Sequence, residues 1–427
     1  MKKRYVQVGV GGRARFFYEA IASIYSQTSE IAGFCDISQT RMDYANRILS
    51  ETYGQEKVPT YKYTAFETML DDIKPACVIV TTVDRSHHDY IIRSMEKGCD
   101  VICEKPLTID EEKAQEILDV QKKTGRSLRV TFNYRYAPHN TKIKELIHND
   151  VIGEVFSIHF EWLLNTQHGA DYFRRWHRNK YNSGGLLVHK STHHFDLVNF
   201  WLNSQPKTVF AFGDLNFYGM QNAEKRGMEE FYSRSFENPA AERDPFAIDL
   251  ESNEELREMY LNAEKDSGYI RDRSVFSDDV SIEDTLGVTV KYDSGTILTY
   301  SLNAYMPWEG FNISLNGSKG RIEMKIVEKS YINARGEKED EGALVKQSIQ
   351  VHPMFDEPYE IEIEEGIGGH GGGDPLLLND LFGIAAFDEW NRAATHIDGV
   401  MSILTGIAAN RSIASGQAIN VKELLRK

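Results

Sequence analysis

Cysteine is scarce in this chain: four in 427 residues, Cys35, Cys77, Cys99 and Cys103, all in the first quarter. None of their spacings fits a zinc ribbon or a Cys-x-x-Cys redox pair. Within predicted strands such thiols serve as small buried apolar groups. Long apolar runs are missing too: nothing approaches the length of a transmembrane helix. The start, Met1 to Val8, runs directly into a strand and lacks the apolar core of a signal peptide. A reducing cytoplasm is therefore the expected location. Basic residues are in deficit, 49 Lys and Arg against 64 Asp and Glu, a net charge of −15. That balance argues against nucleic acid or an anionic membrane as partner. Internal repeats are absent.

What remains is an ordinary globular composition, 41% hydrophobic and 26% charged, long enough for two or three domains with a substantial core. Up to about residue 135, short apolar strands alternate with amphipathic helices. The strands are expected at Tyr5–Val10, Glu30–Cys35, Ala76–Thr81, Asp100–Cys103 and Ser127–Phe132. Helices are expected at Arg15–Tyr25, Gln39–Thr52, His88–Lys97 and Asp110–Thr124. Strands of this kind belong in a parallel sheet covered on both faces, a doubly wound domain over residues 1–135.

From about Val151 the texture changes to longer alternating runs: Val155–Trp162, Thr208–Phe217, Thr285–Tyr292, Thr296–Tyr305 and Phe311–Leu315, with Pro353–Glu365 extended as well. These predict an open, mostly antiparallel sheet with helices on one side, in an α/β domain over residues 136–427. Helical patterns return at Leu376–Ala394 and Gly399–Ser415. Residues 220–280 are polar, acidic and aperiodic, and read as an insertion or lid.

Gly9-Val-Gly11-Gly12-Arg13-Ala14 follows the first strand and opens a helix. Gly9 suits a tight turn, Gly11 a close approach of backbone to a pyrophosphate, and Ala14 close packing of helix on strand. Asp36, ending the second strand, can accept hydrogen bonds from ribose hydroxyls. It disfavours the extra phosphate of NADP, although Arg13 or Arg41 could offset that, so NAD is the expected cofactor. Glu104-Lys105-Pro106 ends a further strand, where side chains point into the ligand crevice. A lysine there can hold a substrate hydroxyl or stabilise developing negative charge.

The densest concentration of protonable groups is Ser183 to Asp196, which sets His189, Lys190, His193, His194 and Asp196 within one or two helical turns. Histidines at i and i+4 share a helix face, and imidazole moves protons near neutral pH. Their spacing is also that of zinc ligands. The glutamate of a His-Glu-x-x-His motif is missing, however, and Lys190 would repel a cation, so no metal is expected. His194 is read as a packing or capping residue. Trp308, at a strand end, could stack on a sugar face.

These motifs, with Thr81-Thr82, His87, Asn133-Tyr-Arg135 and Gly184-Gly185, resemble the Gfo/Idh/MocA oxidoreductase family over nearly the whole chain. The resemblance implies a Rossmann domain and a C-terminal α/β domain whose sheet face often mediates oligomerisation. A dimer or tetramer is expected. It also implies NAD or NADP and hydride transfer at a hydroxyl or keto carbon of a sugar or polyol. On the resemblance, Lys105 contacts the reacting oxygen, His193 is the substrate-site histidine, and Asn133 lies near the nicotinamide. Gly9, Gly11, Gly12, Arg13, Ala14, Asp36, Thr81, His87 and Glu104 complete the expected cofactor site. Arg135, Lys190, His370 and Trp308 complete the expected substrate site.

Two features depart from the family pattern. Many members carry Asp four residues before the substrate-site histidine, where this chain has His189, which then acts as relay or orienter. Gly368-Gly-His370-Gly-Gly-Gly-Asp374 resembles the glycine–histidine segment of the family's NAD-dependent glycosidase branch. The alternative expectation is therefore a glycoside hydrolase or lyase working by transient oxidation, elimination and re-reduction.

Overall fold

The computed structural model describes residues 2–329, 342–384 and 387–426. Among these, two sheets organise the chain. The first is built from β1 (Lys3–Val8), β2 (Ser29–Asp36), β3 (Thr60–Lys62), β4 (Cys77–Val80), β5 (Asp100–Cys103) and β6 (Leu128–Val130), all parallel and in the order β3-β2-β1-β4-β5-β6. That order reverses between β1 and β4, which opens a crevice beyond the carboxyl ends of those strands. Strands such as β4, Cys-Val-Ile-Val, are buried at every residue because helices cover both faces, so they read as unbroken apolar runs.

β3 and the helix Phe66–Ile73 were not expected from the sequence. β3 is three residues long and only partly buried, so it carries no apolar run to mark it. The other helices of this region lie at Ala14–Ala22, Gln39–Glu51, His87–Glu96 and Glu111–Thr124, within a few residues of expectation. The four cysteines are all buried and free.

The second sheet comprises β7 (Val155–Asn165), β8 (Pro206–Asp214), β9 (Thr285–Tyr292), β10 (Ile297–Met306), β11 (Glu309–Gly317), β12 (Gly320–Glu328), β13 (Leu344–Pro353), β14 (Tyr359–Ile361) and the short β15 (Ile419–Asn420). Their order is β14-β13-β12-β11-β7-β10-β9-β8-β15, antiparallel except where β10 runs parallel to β7. Alternation along β7 turns Ile158, Phe160 and Trp162 inward and His159 and Glu161 outward. On the inner face Trp162 stacks on His194 at 4.1 Å and on Phe311 at 5.0 Å between ring centroids. The sheet thereby clamps the helix Thr192–Leu202, and the sequence order of that helix fixes where His193 points.

The expected helix Leu376–Ala394 is shorter. It runs from Gly373 to Phe382, the chain then passes through Gly383 in extended conformation, and residues 385 and 386 lie outside the described residues. The helix His396–Ser415 begins with a full capping box, Thr395 and Asp398 each bonding the other's backbone end. No helix among the described residues is long and apolar enough to cross a membrane.

Residues 220–280 contain short helical turns rather than a sheet, and they reach the nucleotide-type sheet. Asp266 accepts hydrogen bonds from Ser38 Oγ and Thr40 N–H, both at 2.8 Å, so it caps the helix Gln39–Glu51 from outside. Glu254 pairs with Arg47 at 2.7 Å and Glu255 with Arg15 at 2.6 Å. Arg41 donates to the Met259 carbonyl at 2.8 Å.

Candidate active site

A single cleft of about 900 Å³ runs from the glycine turn after β1 to the histidines of the second domain. At one end Gly9 has φ +83°, and a Cβ there would lie 2.6 Å from the backbone of Thr81 and Thr82, so only glycine allows the turn. A Cβ on Gly11 would meet nothing within 4 Å, which leaves its backbone open to a ligand. Thr81 Oγ1 donates to the Gly9 carbonyl at 2.5 Å and fixes the two strand ends together. Asp36 accepts from Val10 N–H at 2.5 Å and from Ser38 N–H at 2.7 Å. Burial pushes its carboxyl up, against the pull of Arg41. The Tyr260 hydroxyl would lie 2.8 Å from a Cβ on Gly12, so the insertion roofs the turn.

Arg13 donates to Glu104 at 2.7 Å and lies over the Phe16 ring at 3.9 Å. Glu104 also accepts from the Lys105 N–H. Asn133 donates to Asp374 at 2.7 Å, while its own carbonyl oxygen is buried without a partner among the described residues. That oxygen is an acceptor suited to a carboxamide N–H. These residues line the cleft and can cradle a dinucleotide: an open glycine backbone at a helix start, an acid at the end of β2, and an amide acceptor further along.

At the other end Lys105 Nζ lies 3.4 Å from His189 Nε2, and His189 Nδ1 lies 2.5 Å from an Asp84 carboxylate oxygen. With Nδ1–H donating to Asp84, Nε2 is left to accept from the lysine, so the partners set the tautomer. Burial lowers Lys105 to about 8, with nearby Lys190 adding to the effect against Glu104 and Asp84. Burial drives His189 well below the usual imidazole range, reinforced by Lys105. Burial also raises Asp84, opposed by Lys105 and Arg175.

Two further carboxylate–histidine pairs face the same space. Glu309 bonds His168 Nδ1 at 2.8 Å, and His168 Nε2 meets the Tyr172 hydroxyl at 3.0 Å. Burial raises Glu309 to about 8, opposed by Lys190. His370 Nδ1 lies 2.8 Å from Asp374. His193 stands between these groups with its ring edge on Tyr134 at 5.0 Å and its Nδ1 unpartnered among the described residues. Lys190 lies 4.5 Å over the Trp162 ring. His194, as expected, is a packing residue, bonded to the Tyr300 hydroxyl at 2.7 Å.

Several expectations are corrected by this geometry. Arg135 does not line the cleft: its side chain is 3% exposed and binds Asp196 at 2.6 Å and Asp398 at 2.8 Å, joining two helices. Trp308 does not line the cleft. It lies beside Lys325 at 5.3 Å, while its neighbour Glu309 turns inward, as alternation along a strand requires. Ala14 does not line the cleft; it is fully buried beneath the turn, in keeping with its expected role of packing helix on strand. His87 lines the cleft, but both its nitrogens face backbone carbonyls, Pro106 at 2.8 Å and Thr82 at 3.0 Å, so it braces the Lys105 turn. Sequence reasoning missed Asp84, His168, Tyr172, Arg175, His177 and Glu309. One signal was available, since His168 and Tyr172 are an i, i+4 pair.

Comparison with known proteins now bears on the cleft. Residues 3–132 match the model of the oxidoreductase family's NAD-binding Rossmann fold, and residues 144–421 match that of its C-terminal alpha/beta domain. The chain belongs to the Gfo/Idh/MocA oxidoreductases. This member is 36% identical over 99% of both chains to a protein of Bacillus subtilis (strain 168) named as oxidoreductase YteT. It is 30% identical to the D-glucoside 3-dehydrogenase of Escherichia coli (strain K12) over 35% of this chain and 41% of that one. Among solved structures, the WlbA dehydrogenase of Bordetella pertussis, in complex with NADH and UDP-GlcNAcA, superposes with TM-score 0.64 at 16% identity. That match covers 98% of this chain and 99% of the other and shows the shared fold.

Proposed function

We propose that this oxidoreductase transfers a hydride between NAD and a hydroxyl-bearing carbon of a sugar or polyol. The observation that carries the reading is the Asp84–His189–Lys105 chain, which ends in the cleft that begins at the open glycine turn. A bound nicotinamide would supply the hydride acceptor. The protein's own groups then have the proton to manage. Lys105, at the end of β5, holds the substrate hydroxyl, and in its neutral form it accepts the proton. His189, backed by Asp84, orients the lysine and spreads the charge that arrives. His193 supplies an imidazole nitrogen to a neighbouring hydroxyl. Asp36, buried at the end of β2, favours NAD over NADP, because a 2′-phosphate would be brought against a carboxylate.

A second reading, hydrolysis or elimination of a glycoside with NAD recycled, is favoured by the His370–Asp374 pair, an additional acid–base couple in the same cleft. A paired assay with NAD, free sugars and nitrophenyl glycosides separates the two. NADH in proportion to sugar consumed supports the first. Nitrophenol release that requires NAD without net NADH supports the second. Neither signal over a broad panel, with NAD bound, removes both.

A further inference from the structure

The chain carries an excess of acid, yet seven lysines and arginines line the cleft against four carboxylates. The imbalance is sharpest around Asp171. That one carboxylate is the counter-charge for three guanidiniums, Arg174 at 3.2 Å, Arg175 at 3.3 Å and Arg271 at 2.7 Å. Asp171, Arg174 and Arg271 are each less than a tenth exposed. The carboxylate directly after Arg271 in the chain, Asp272, is already committed to Arg234 and to the Phe236 N–H, both at 2.7 Å.

Hydrogen-bonding capacity is left over in the same place. Arg175 Nε, Arg271 Nε and Nη1, and the Tyr269 hydroxyl are all buried without a partner among the described residues. Buried cations and donors in this state call for an anion. Arg175 and Tyr269 line the cleft. Arg174 ends, and Arg175 directly follows, the helix that presents Tyr172, whose ring lies 5.5 Å from that of His189. The unfilled charge is thus beside the proton-handling groups. A planar guanidinium with a phenol hydroxyl suits a carboxylate. Asp84, the other carboxylate near Arg175, is already bonded to His189, so the guanidinium cluster keeps room for an added anion.

We propose that the substrate is a carboxylate-bearing sugar whose carboxylate binds Arg175 and Tyr269 beside the Lys105–His189 pair. The proposal rests on the sugar reading above and narrows it to sugar acids.

The test is equilibrium binding by calorimetry to the full-length protein loaded with NAD, using D-galacturonate, D-galactose and D-galactose 6-phosphate as probes. Galacturonate is expected to bind at least about tenfold tighter than galactose, the scale of one charge-assisted contact. In Arg175→Gln that preference is expected to fall to within about twofold, the same contact being lost. Tyr269→Phe, which keeps every charge, is expected to halve the preference or more, and it serves if the arginine variant does not fold. Equal affinity for galactose and galacturonate overturns the proposal and leaves the sugar reading standing. Preference for the phosphate overturns the carboxylate assignment. Weakened NAD binding in Arg175→Gln with the preference intact gives the cluster to the dinucleotide instead. Binding of none of the three overturns the proposal, and the broad panel above then decides the sugar reading separately.

Discussion

The imidazole of His189 lies 2.5 Å from the carboxylate of Asp84, a residue 105 positions earlier in the chain and in the other sheet's loops. The carboxylate that His189 meets thus comes from across the cleft. A histidine held this way has one nitrogen fixed as donor and the other fixed as acceptor toward Lys105. The two domains must be docked for the pair to exist, so the acid–base machinery reports on their assembly.

Asp84→Asn removes the negative charge and can place an NH2 donor against Nδ1, which lets the imidazole adopt the wrong tautomer. We expect turnover to fall by about 100-fold or more, the scale of a lost acid–base element, with NAD affinity unchanged. Steady-state rates and NAD titration by fluorescence check both halves. Full activity would remove the Asp84–His189 pair from the mechanism.

Lys105, with its ordinary value lowered to about 8 by burial, is protonated below that pH and cannot accept a proton from substrate. Oxidation should therefore rise with pH through about 8 with a one-proton slope, and the reverse reduction, which needs the protonated lysine, should decline over the same interval. A pH–rate profile in both directions tests the sign.

Glu309 is raised from its ordinary 4.5 to about 8. The folded protein then holds a proton that the unfolded chain gives up above 4.5. The stability this contributes is complete below 4.5 and is lost as pH rises through 8. Glu309→Gln should remove that dependence. Melting temperatures of the two proteins from pH 5 to 9 should diverge on the alkaline side in favour of the variant.

Arg135→Ala strips Asp196 and Asp398 of their shared partner. With Arg135 and Asp196 almost wholly buried, the expected loss is about 3–5 kcal/mol of stability. Denaturant unfolding reads it directly.

Gly11→Ala places a methyl group in open space, so its melting temperature should match the parent. Its NAD affinity should drop, because the methyl occupies the ligand's approach. Gly9→Ala should lose stability first, since its Cβ meets the backbone at Thr81 and Thr82.

Local signals sufficed for much of this protein. The parallel sheet, the antiparallel sheet, the glycine turn and the placement of Lys105 all follow from patterns only a few residues long, because apolar periodicity and turn chemistry act within an element. Lys105 and His189 could be singled out for the same reason: strand ends and helix faces are local facts. What Arg135 and Trp308 do was beyond such reasoning. Both have the right chemistry for a ligand, and only docking shows that Arg135 spends its charge on Asp196 and Asp398 while Trp308 faces away from the cleft. Residues 220–280 lack periodicity, so nothing in them announced Asp266 capping a helix more than 200 positions earlier or Tyr260 roofing Gly12. The sequence by itself determined the two sheets and the end of the cleft that holds a nucleotide. Tertiary structure alone decided that Asp84 meets His189 and Glu309 meets His168, because those pairings join distant segments and no local preference encodes them.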